Sequence, residues 1–189
     1  MAVGGFDVVI GNPPFVEYVK VRPQYTIRNY VTEDAGNLYC FCVERLEELC
    51  LATAMSGLIV PIAAGSVRET ESLRRKCREI YEVLWASHYA IRPAKLFEGV
   101  EQRLTILLAK HGHEQKQWFT SKYHQWFVDE RDALFLKVNY IPMPRYANTG
   151  SPWPKIGTSL EADILSRITS ATNVSAQHYL VQGSPWKFY

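Results

Sequence analysis

The tetrapeptide Asn12–Phe15, of sequence Asn-Pro-Pro-Phe, contains the residues whose types and spacing could do chemistry. The side-chain oxygen of Asn12 and the backbone carbonyl of Pro13 are two hydrogen-bond acceptors in adjacent residues. Each proline fixes its own φ and restrains the residue before it, so both acceptors have little freedom. Together they could bind the two hydrogens of an amino group, and Phe15 adds a flat face on which a ring could stack.

This arrangement fits the transfer of a methyl group to an amino nitrogen that is conjugated to a ring or a carbonyl. Such a nitrogen is a weak nucleophile because its lone pair is delocalised. Two acceptors aimed at its hydrogens would favour a more tetrahedral geometry, and rigid acceptors need little rearrangement during the reaction. A base inside a duplex would have to be flipped out of the stack to reach the tetrapeptide.

The element that precedes the tetrapeptide is predicted to be a β-strand. Phe6, Val8, Val9 and Ile10 are β-formers in a short apolar run, which Gly11 ends. A run that is apolar on both faces favours a central strand of a parallel sheet. Ligands of open α/β sheets bind at the carboxyl ends of the strands, and Asn12 would lie at such an end.

The rest of the chain alternates between predicted helices and predicted strands. Helical periodicity predicts that Asn37 caps a helix and that Gly57 ends it. Residues 17–34 are aromatic and charged with little periodicity, which indicates a loop beside the tetrapeptide. The predicted helices span 37–53, 66–81, 127–136 and 159–169, and the further strands span 58–62, 83–89, 104–109 and 116–126.

Length and composition set only bounds. A chain of 189 residues can bury one sizeable core, and its 47% hydrophobic and 21% charged residues are ordinary for a globular domain. No apolar run reaches the length of a membrane span. The four cysteines show no metal-binding spacing, so we expect a reduced cytosolic protein with no metal. A net charge of +2 permits nucleic-acid binding without arguing for it.

The tetrapeptide resembles motif IV of the amino-methyltransferases that use S-adenosylmethionine (SAM). Residues 37–49, 57–79 and 96–110 resemble consecutive blocks of the gamma-type DNA adenine-N6 methyltransferases, which are the TaqI-like and Eco57I-like enzymes of restriction-modification systems. The similarity covers about residues 6–140.

The resemblance implies an α/β fold, a partial Rossmann-like methyltransferase sheet with flanking helices and one reversed strand at 104–109. It implies that Asn12 and the Pro13 carbonyl accept hydrogen bonds from the amino group of a flipped adenine. Pro14 would set the geometry and Phe15 would stack on the base. It also implies double-stranded DNA as the partner, SAM as the cofactor, and a place near the SAM pocket for Asn37 and Tyr39.

Three regions are expected along the chain. Residues 1–140 would form the second half of a catalytic domain, residues 141–158 a linker rich in Pro, Gly, Asn and Ser, and residues 159–189 a helix and the start of a target-recognition region. The glycine-rich SAM turn and the first strands of the family do not precede the tetrapeptide here. We therefore expect the 189 residues alone to bind SAM poorly, to be inactive, and to form homo-oligomers through an exposed sheet edge.

Two other readings stay open. Asn-Pro-Pro-aromatic sequences also occur in methyltransferases that act on RNA guanine or on protein glutamine, while a non-catalytic remnant would only bind DNA or a partner. Residues 37–39 and 96–100, and the possible recognition region after residue 158, favour the DNA-adenine branch.

Overall fold

A computed structural model of the protein describes residues 4–144 and 150–171. The six strands are β1 (Phe6–Gly11), β2 (Cys50–Pro61), β3 (Tyr81–Tyr89), β4 (Leu104–His111), β5 (Gln117–His124) and β6 (Ile141–Pro142). The helices are α1 (Tyr18–Val21), α2 (Leu38–Leu49), α3 (Glu71–Ile80) and α4 (Ser159–Ala171). Short 3-10 segments lie at Glu33–Ala35, Ile62–Gly65, Arg68–Thr70, Val128–Ala133 and Phe135–Lys137.

The strands form one mixed sheet in the order β1-β2-β4-β3-β5-β6. β1 is parallel to β2, and β3 is parallel to β5, whereas β4 runs antiparallel to both β2 and β3. The reversed strand implied by the resemblance is therefore present, and the predicted α/β class is confirmed. Four strands end at one edge of the sheet, which we call the carboxyl edge, and β4 begins there because Leu104 pairs with both Pro61 and Tyr89.

The prediction that residues 6–10 form a central strand is wrong for the sheet as described. β1 pairs with β2 on one side, and no other strand of the described chain pairs with it. Val9 packs against the main core, whereas Phe6, Val8 and Ile10 alternate with it on the other face of the strand and are exposed, Ile10 by 83%. The apolar run gives the strand correctly but does not determine how many neighbours the strand has.

The predicted end of the first helix at Gly57 is also wrong. α2 stops at Leu49, and β2 begins at Cys50 and continues through Gly57. Gly57 pairs with Ile10 on one side and with Leu108 on the other. Cys50 pairs with β1, and from Met55 onward β2 pairs on both sides. This pairing holds β2 extended, although the helical pattern of the sequence continues to residue 53.

Two smaller differences concern the predicted helices. The helix predicted to start at residue 66 begins at Glu71, after the 3-10 turn Arg68–Thr70. The helix predicted over 127–136 consists of two 3-10 segments, Val128–Ala133 and Phe135–Lys137. The helix predicted over 159–169 is present as α4.

The main core lies between one face of the sheet and the helices α2 and α3. Val43 and Leu46 of α2, Leu73 and Cys77 of α3, and Leu84 of β3 belong to one buried cluster. Cys40 and Cys77 are small buried groups in this core, whereas Cys42 is exposed and Cys50 is partly buried. Burial raises the pKa of Cys40 to about 12. All four cysteines are free, and within residues 4–144 and 150–171 no group of side chains could hold a metal ion.

The described part of the predicted linker packs on the rest of the protein. Trp153 is 1% exposed, and its backbone N–H donates to the carbonyl of Gly65 at 2.7 Å. Its indole lies so close to Gly65 that a Cβ there would be 2.5 Å from the ring. Buried Arg74 donates to the carbonyl of Gly150 at 2.8 Å. The division at 141–158 stays a prediction, and residues 145–149 and 172–189 lie outside the described residues.

None of the described helices combines the length and the apolar character that are needed to cross a membrane.

A hydrogen-bonded group of polar side chains crosses the sheet at His88, which is fully buried in β3. Its ring nitrogens lie 2.9 Å from Oγ1 of Thr105 and 3.1 Å from Oγ1 of Thr120, and Thr120 donates to the carbonyl of Pro154. Burial, with smaller contributions from Lys155 and His124, lowers the pKa of His88 to about 3. A neutral imidazole therefore links β3 with both of its neighbours.

We predict that Trp153→Ala lowers the free energy of unfolding by about 3–5 kcal/mol, since it leaves a cavity against Gly65 and Trp118. Urea denaturation measures this. The matched control is Leu136→Ala, at a side chain that is 87% exposed, which should change stability by about 0.5 kcal/mol or less. Equal stability of the two variants would contradict the packing of residues 150–156 into the core.

We predict that His88 makes the fold sensitive to acid. The pKa of His88 in the folded chain lies below its ordinary value of about 6.5. Between these two pKa values the unfolded chain binds a proton at His88 that the folded chain does not bind. Stability should fall as the pH falls from about 6.5 towards 3, by about 1.4 kcal/mol per pH unit for this group.

The measurement is the free energy of unfolding between pH 7 and pH 4.5 for the wild type, for His88→Gln, and for His113→Gln at an exposed histidine. His88→Gln should give a shallower dependence and His113→Gln an unchanged one. The same slope in all three proteins would refute the assignment.

Candidate functional site

The tetrapeptide Asn12–Phe15 lies at the carboxyl edge, directly after Gly11 ends β1. Asn12 and Pro14 are exposed, Pro13 is buried and Phe15 is partly buried. No hydrogen bond to another described residue engages the Asn12 carboxamide. The fold therefore fixes the backbone of the tetrapeptide and leaves the Asn12 side chain available to a ligand.

A cavity of about 790 Å³ opens beside Asn12 on the sheet face opposite α2 and α3. Most of its lining is apolar, and the side chains come from four strands and two connectors: Val8, Ile10, Met55, Trp85, Phe97, Ile106, Leu108 and Tyr140. A wide apolar cavity that borders one polar amide suits a flat ligand with an amino group at its edge.

Phe97 is one of three aromatic residues of this cavity, with Trp85 and Tyr140, that the sequence interpretation did not single out. It lies in residues 90–103, which connect the end of β3 to the start of β4. Both of those ends are at the carboxyl edge, so the connector returns to the side of the sheet where Asn12 lies. In the sequence, its place in the block 96–110 was the one signal that could have marked Phe97 as a site residue. That Phe97 and Asn12 line one cavity follows from the order and direction of the strands.

A second cavity, of about 380 Å³, lies on the other side of Asn12. Asn12 and Pro13 line it together with Tyr30 from the following loop and Phe41 from α2. The tetrapeptide thus separates two cavities, and both have aromatic walls.

Backbone contacts between residues 16–18 and residues 36–38, which together we call the neck, join the segment after the tetrapeptide to the start of α2. The Leu38 N–H donates to the Val16 carbonyl at 2.9 Å, the Tyr18 N–H donates to the Gly36 carbonyl at 2.8 Å, and an isolated antiparallel bridge pairs Glu17 with Asn37. Residues 18–36 therefore form a closed loop between the two. The predicted loop at 17–34 is present, and it includes the short helix α1.

The neck brings Asn37 close to the tetrapeptide, whereas Tyr39 points into the core. Asn37 occupies the N-cap position of α2 in an extended conformation, but its side chain makes no capping hydrogen bond. Tyr39 is 2% exposed, and burial raises the pKa of its phenol. Their assignment to a cofactor stays a prediction, and the geometry leaves only the Asn37 side chain in reach of a ligand.

Residues 1–85 match the family model described as Eco57I restriction-modification methylase. Comparison with curated proteins gave no match.

Three solved structures have a similar fold. A nuclease-deletion mutant of the Type ISP restriction-modification enzyme LlaGI, in complex with a DNA substrate mimic, has a TM-score of 0.55 at 11% identity over 77% of this chain and 18% of that chain. A chain from a type I restriction-modification system has a TM-score of 0.53 at 12% identity over 96% of this chain and 47% of that chain. The DrdV–DNA complex has a TM-score of 0.53 at 10% identity over 76% of this chain and 18% of that chain.

At these identities the three structures show the fold alone, and this chain spans less than half the length of each matched chain. The part that matches the family model contains the tetrapeptide, the neck, α2, β2 and α3. Over residues 1–85 the chain is similar to the Eco57I restriction-modification methylases, and its sheet has a fold found in restriction-modification enzymes.

Proposed function

We propose that this chain belongs to the catalytic region of a DNA adenine-N6 methyltransferase of a restriction-modification system. The observation that carries the proposal is the exposed and unengaged carboxamide of Asn12, fixed at the carboxyl edge by two prolines and bordered by an aromatic-walled cavity. The match of residues 1–85 to a restriction-modification methylase family supports it.

In the proposed mechanism the adenine amino group donates one hydrogen bond to Oδ1 of Asn12 and one to the carbonyl of Pro13. Both acceptors belong to a rigid corner, so they favour the tetrahedral nitrogen without reorganising. Pro14 continues the corner and directs the chain towards Phe15. The amino nitrogen would form its bond to the methyl carbon as the bond between that carbon and the sulfonium sulfur of SAM breaks, and the nitrogen would release one proton to water.

The flipped base would be held by stacking. Phe97 lines the cavity that Asn12 borders and is one proposed wall for adenine. Phe15 does not line this cavity, and its proposed stacking rests on its place directly after the two acceptors. Aromatic side chains suit any base, which means that the amino group, and not the stacking, identifies the position to be methylated. Double-stranded DNA is the proposed partner, from which adenine is flipped.

SAM, when bound, supplies an activated methyl group. The Asn37 side chain fits a cofactor contact because it makes no capping hydrogen bond and lies at the neck beside the tetrapeptide. Buried Tyr39 can support that position only through packing. We propose that the 189 residues alone bind SAM weakly and are inactive, because their sequence contains no glycine-rich turn between a strand and a helix that could bind the cofactor.

We predict that Asn12→Ala lowers methylation by on the order of 100-fold or more, since it removes one of the two preorganised acceptors. The assay uses the full-length protein, labelled SAM and unmethylated DNA, which is then digested to nucleosides to detect N6-methyladenine. Asn12→Asp keeps acceptor oxygens at the same position and should retain more activity than Asn12→Ala.

The control is Gln115→Ala, at an exposed residue before β5 and thus at the opposite end of the sheet. Near-normal turnover of Asn12→Ala would refute the role of Asn12. Label in RNA or in a glutamine-containing protein, with unlabelled DNA, would favour the alternative acceptors. No transfer to any of them would favour a non-catalytic protein.

We also propose that the 189 residues associate through β1. On one side of this strand no other described strand pairs with its backbone, and Phe6, Val8 and Ile10 beside it are exposed. Light scattering should give a mass above 21.7 kDa at high concentration, and Val8→Lys should shift it towards the monomer because an edge lysine opposes strand pairing. A clean monomer of the unmodified chain at high concentration would contradict this.

A further inference from the structure

A buried carboxylate holds the closed loop 18–36 against α2. Glu44 lies on α2 and is 8% exposed. Its Oε1 accepts the Val31 N–H at 3.0 Å, while its Oε2 accepts the Thr32 N–H at 3.0 Å and the Thr32 hydroxyl at 2.7 Å. The two oxygens thus bind three donors of one short segment, and hydrogen bonds to an ionised group are stronger than neutral ones.

Loop 18–36 has other attachments on either side of this segment, because Tyr30 packs against Phe41 and the Ser72 hydroxyl of α3 donates to Asp34. Thr32 is fully buried, but Val31 beside it is exposed, and so are most residues from 22 to 29. The loop has one further internal anchor, where the Tyr18 hydroxyl accepts the Ile27 N–H at 2.7 Å. Removing the Glu44 carboxylate would leave the buried backbone N–H of Thr32 without its partner, which costs more than a neutral contact.

The held segment contributes a wall of the site. Tyr30 immediately precedes Val31, and its ring packs edge-to-face on Phe41, with 5.4 Å between the ring centroids. Tyr30 and Phe41 line the cavity of about 380 Å³ together with Asn12 and Pro13. The position of Tyr30 beside the tetrapeptide therefore depends on the residues that Glu44 binds.

We infer that Glu44 is a positioning residue for the corner at Asn12 and Pro13, acting through Tyr30, which lines the smaller cavity beside them. It keeps loop 18–36 closed and Tyr30 in place beside Asn12, so that DNA meets a preformed site. The functional half of this inference rests on the proposed methyltransferase function, whereas the ordering of the loop by Glu44 does not.

Amide hydrogen exchange in the full-length protein tests the ordering directly. In Glu44→Ala the amides of Val31 and Thr32 should lose protection, while amides of β4 in the centre of the sheet keep it. Thr32→Val removes only the hydroxyl bond and should give a smaller loss, which keeps the test decisive if Glu44→Ala fails to fold. Glu48→Ala, at an exposed residue near the end of the same helix, is the matched control and should leave exchange at both amides unchanged.

Steady-state kinetics of methylation test the functional half. Glu44→Ala should raise the KM for DNA on the order of tenfold and leave the KM for SAM within about twofold, because Tyr30 of the loop lines a cavity together with the two proposed acceptor residues, Asn12 and Pro13. Glu44→Gln keeps one acceptor oxygen and should partly restore the KM for DNA. A loss of folded protein alone would lower the rate and would not separate the two KM values.

Two results would overturn the inference: unchanged exchange at Val31 and Thr32 in Glu44→Ala, or equal rises in the KM values for DNA and SAM. A wild-type protein that methylates no DNA would instead refute the proposed function, and with it the functional half. The exchange of the two amides would still decide whether Glu44 orders the loop.

Discussion

The pairing of β2 on both of its sides is the constraint on which the rest of the structure depends. β1 lies parallel to β2 on one side, and β4 lies antiparallel on the other. The first pairing fixes the position of Gly11, the last residue of β1, and therefore the position of Asn12 after it. The second brings the start of β4, and the connector that carries Phe97, to the same edge. Because neighbouring strands lie about 4.8 Å apart, three consecutive strands in register fix these side chains around one cavity without any direct bond between them.

The site also depends on a second, smaller closure at the neck. Three contacts between residues 16–18 and 36–38 join the tetrapeptide to the first turn of α2, and α2 itself is packed on the core side of the sheet. The neck thereby attaches the segment that follows Asn12 to a helix that is packed in the core. Asn12 is an exposed side chain on a fixed backbone, which is the arrangement that a preorganised acceptor requires.

Local chemistry made part of this structure predictable. The residues of β1, the N-terminus of α2, the strands β3 to β5 and the helix α4 follow from apolar periodicity, because each pattern repeats over enough residues. The continuation of β2 through residues 50–57 did not follow, since cross-strand pairing with Ile10 and Leu108 overrides a helical pattern that α2 had begun. The burial of Trp153 was equally hidden, because a segment rich in proline and glycine has the composition of a linker whether or not one aromatic side chain is anchored. In the site, the spacing within Asn-Pro-Pro-Phe indicated the acceptors, but the partnership with Phe97 and Tyr30 depends on segments that are distant in sequence.

The neck has a consequence for how the sequence of this region can vary. Residues 18–36 leave the tetrapeptide and return to α2 through the same point, so their number does not determine the distance between Asn12 and Asn37. Doubling the length of such a loop costs only about 0.6 kcal/mol of closure entropy. Insertions and deletions among the exposed residues 22–26 would then change the surface offered to a partner while the reactive corner keeps its geometry. The surface beside the site can therefore diversify in length and charge independently of the chemistry.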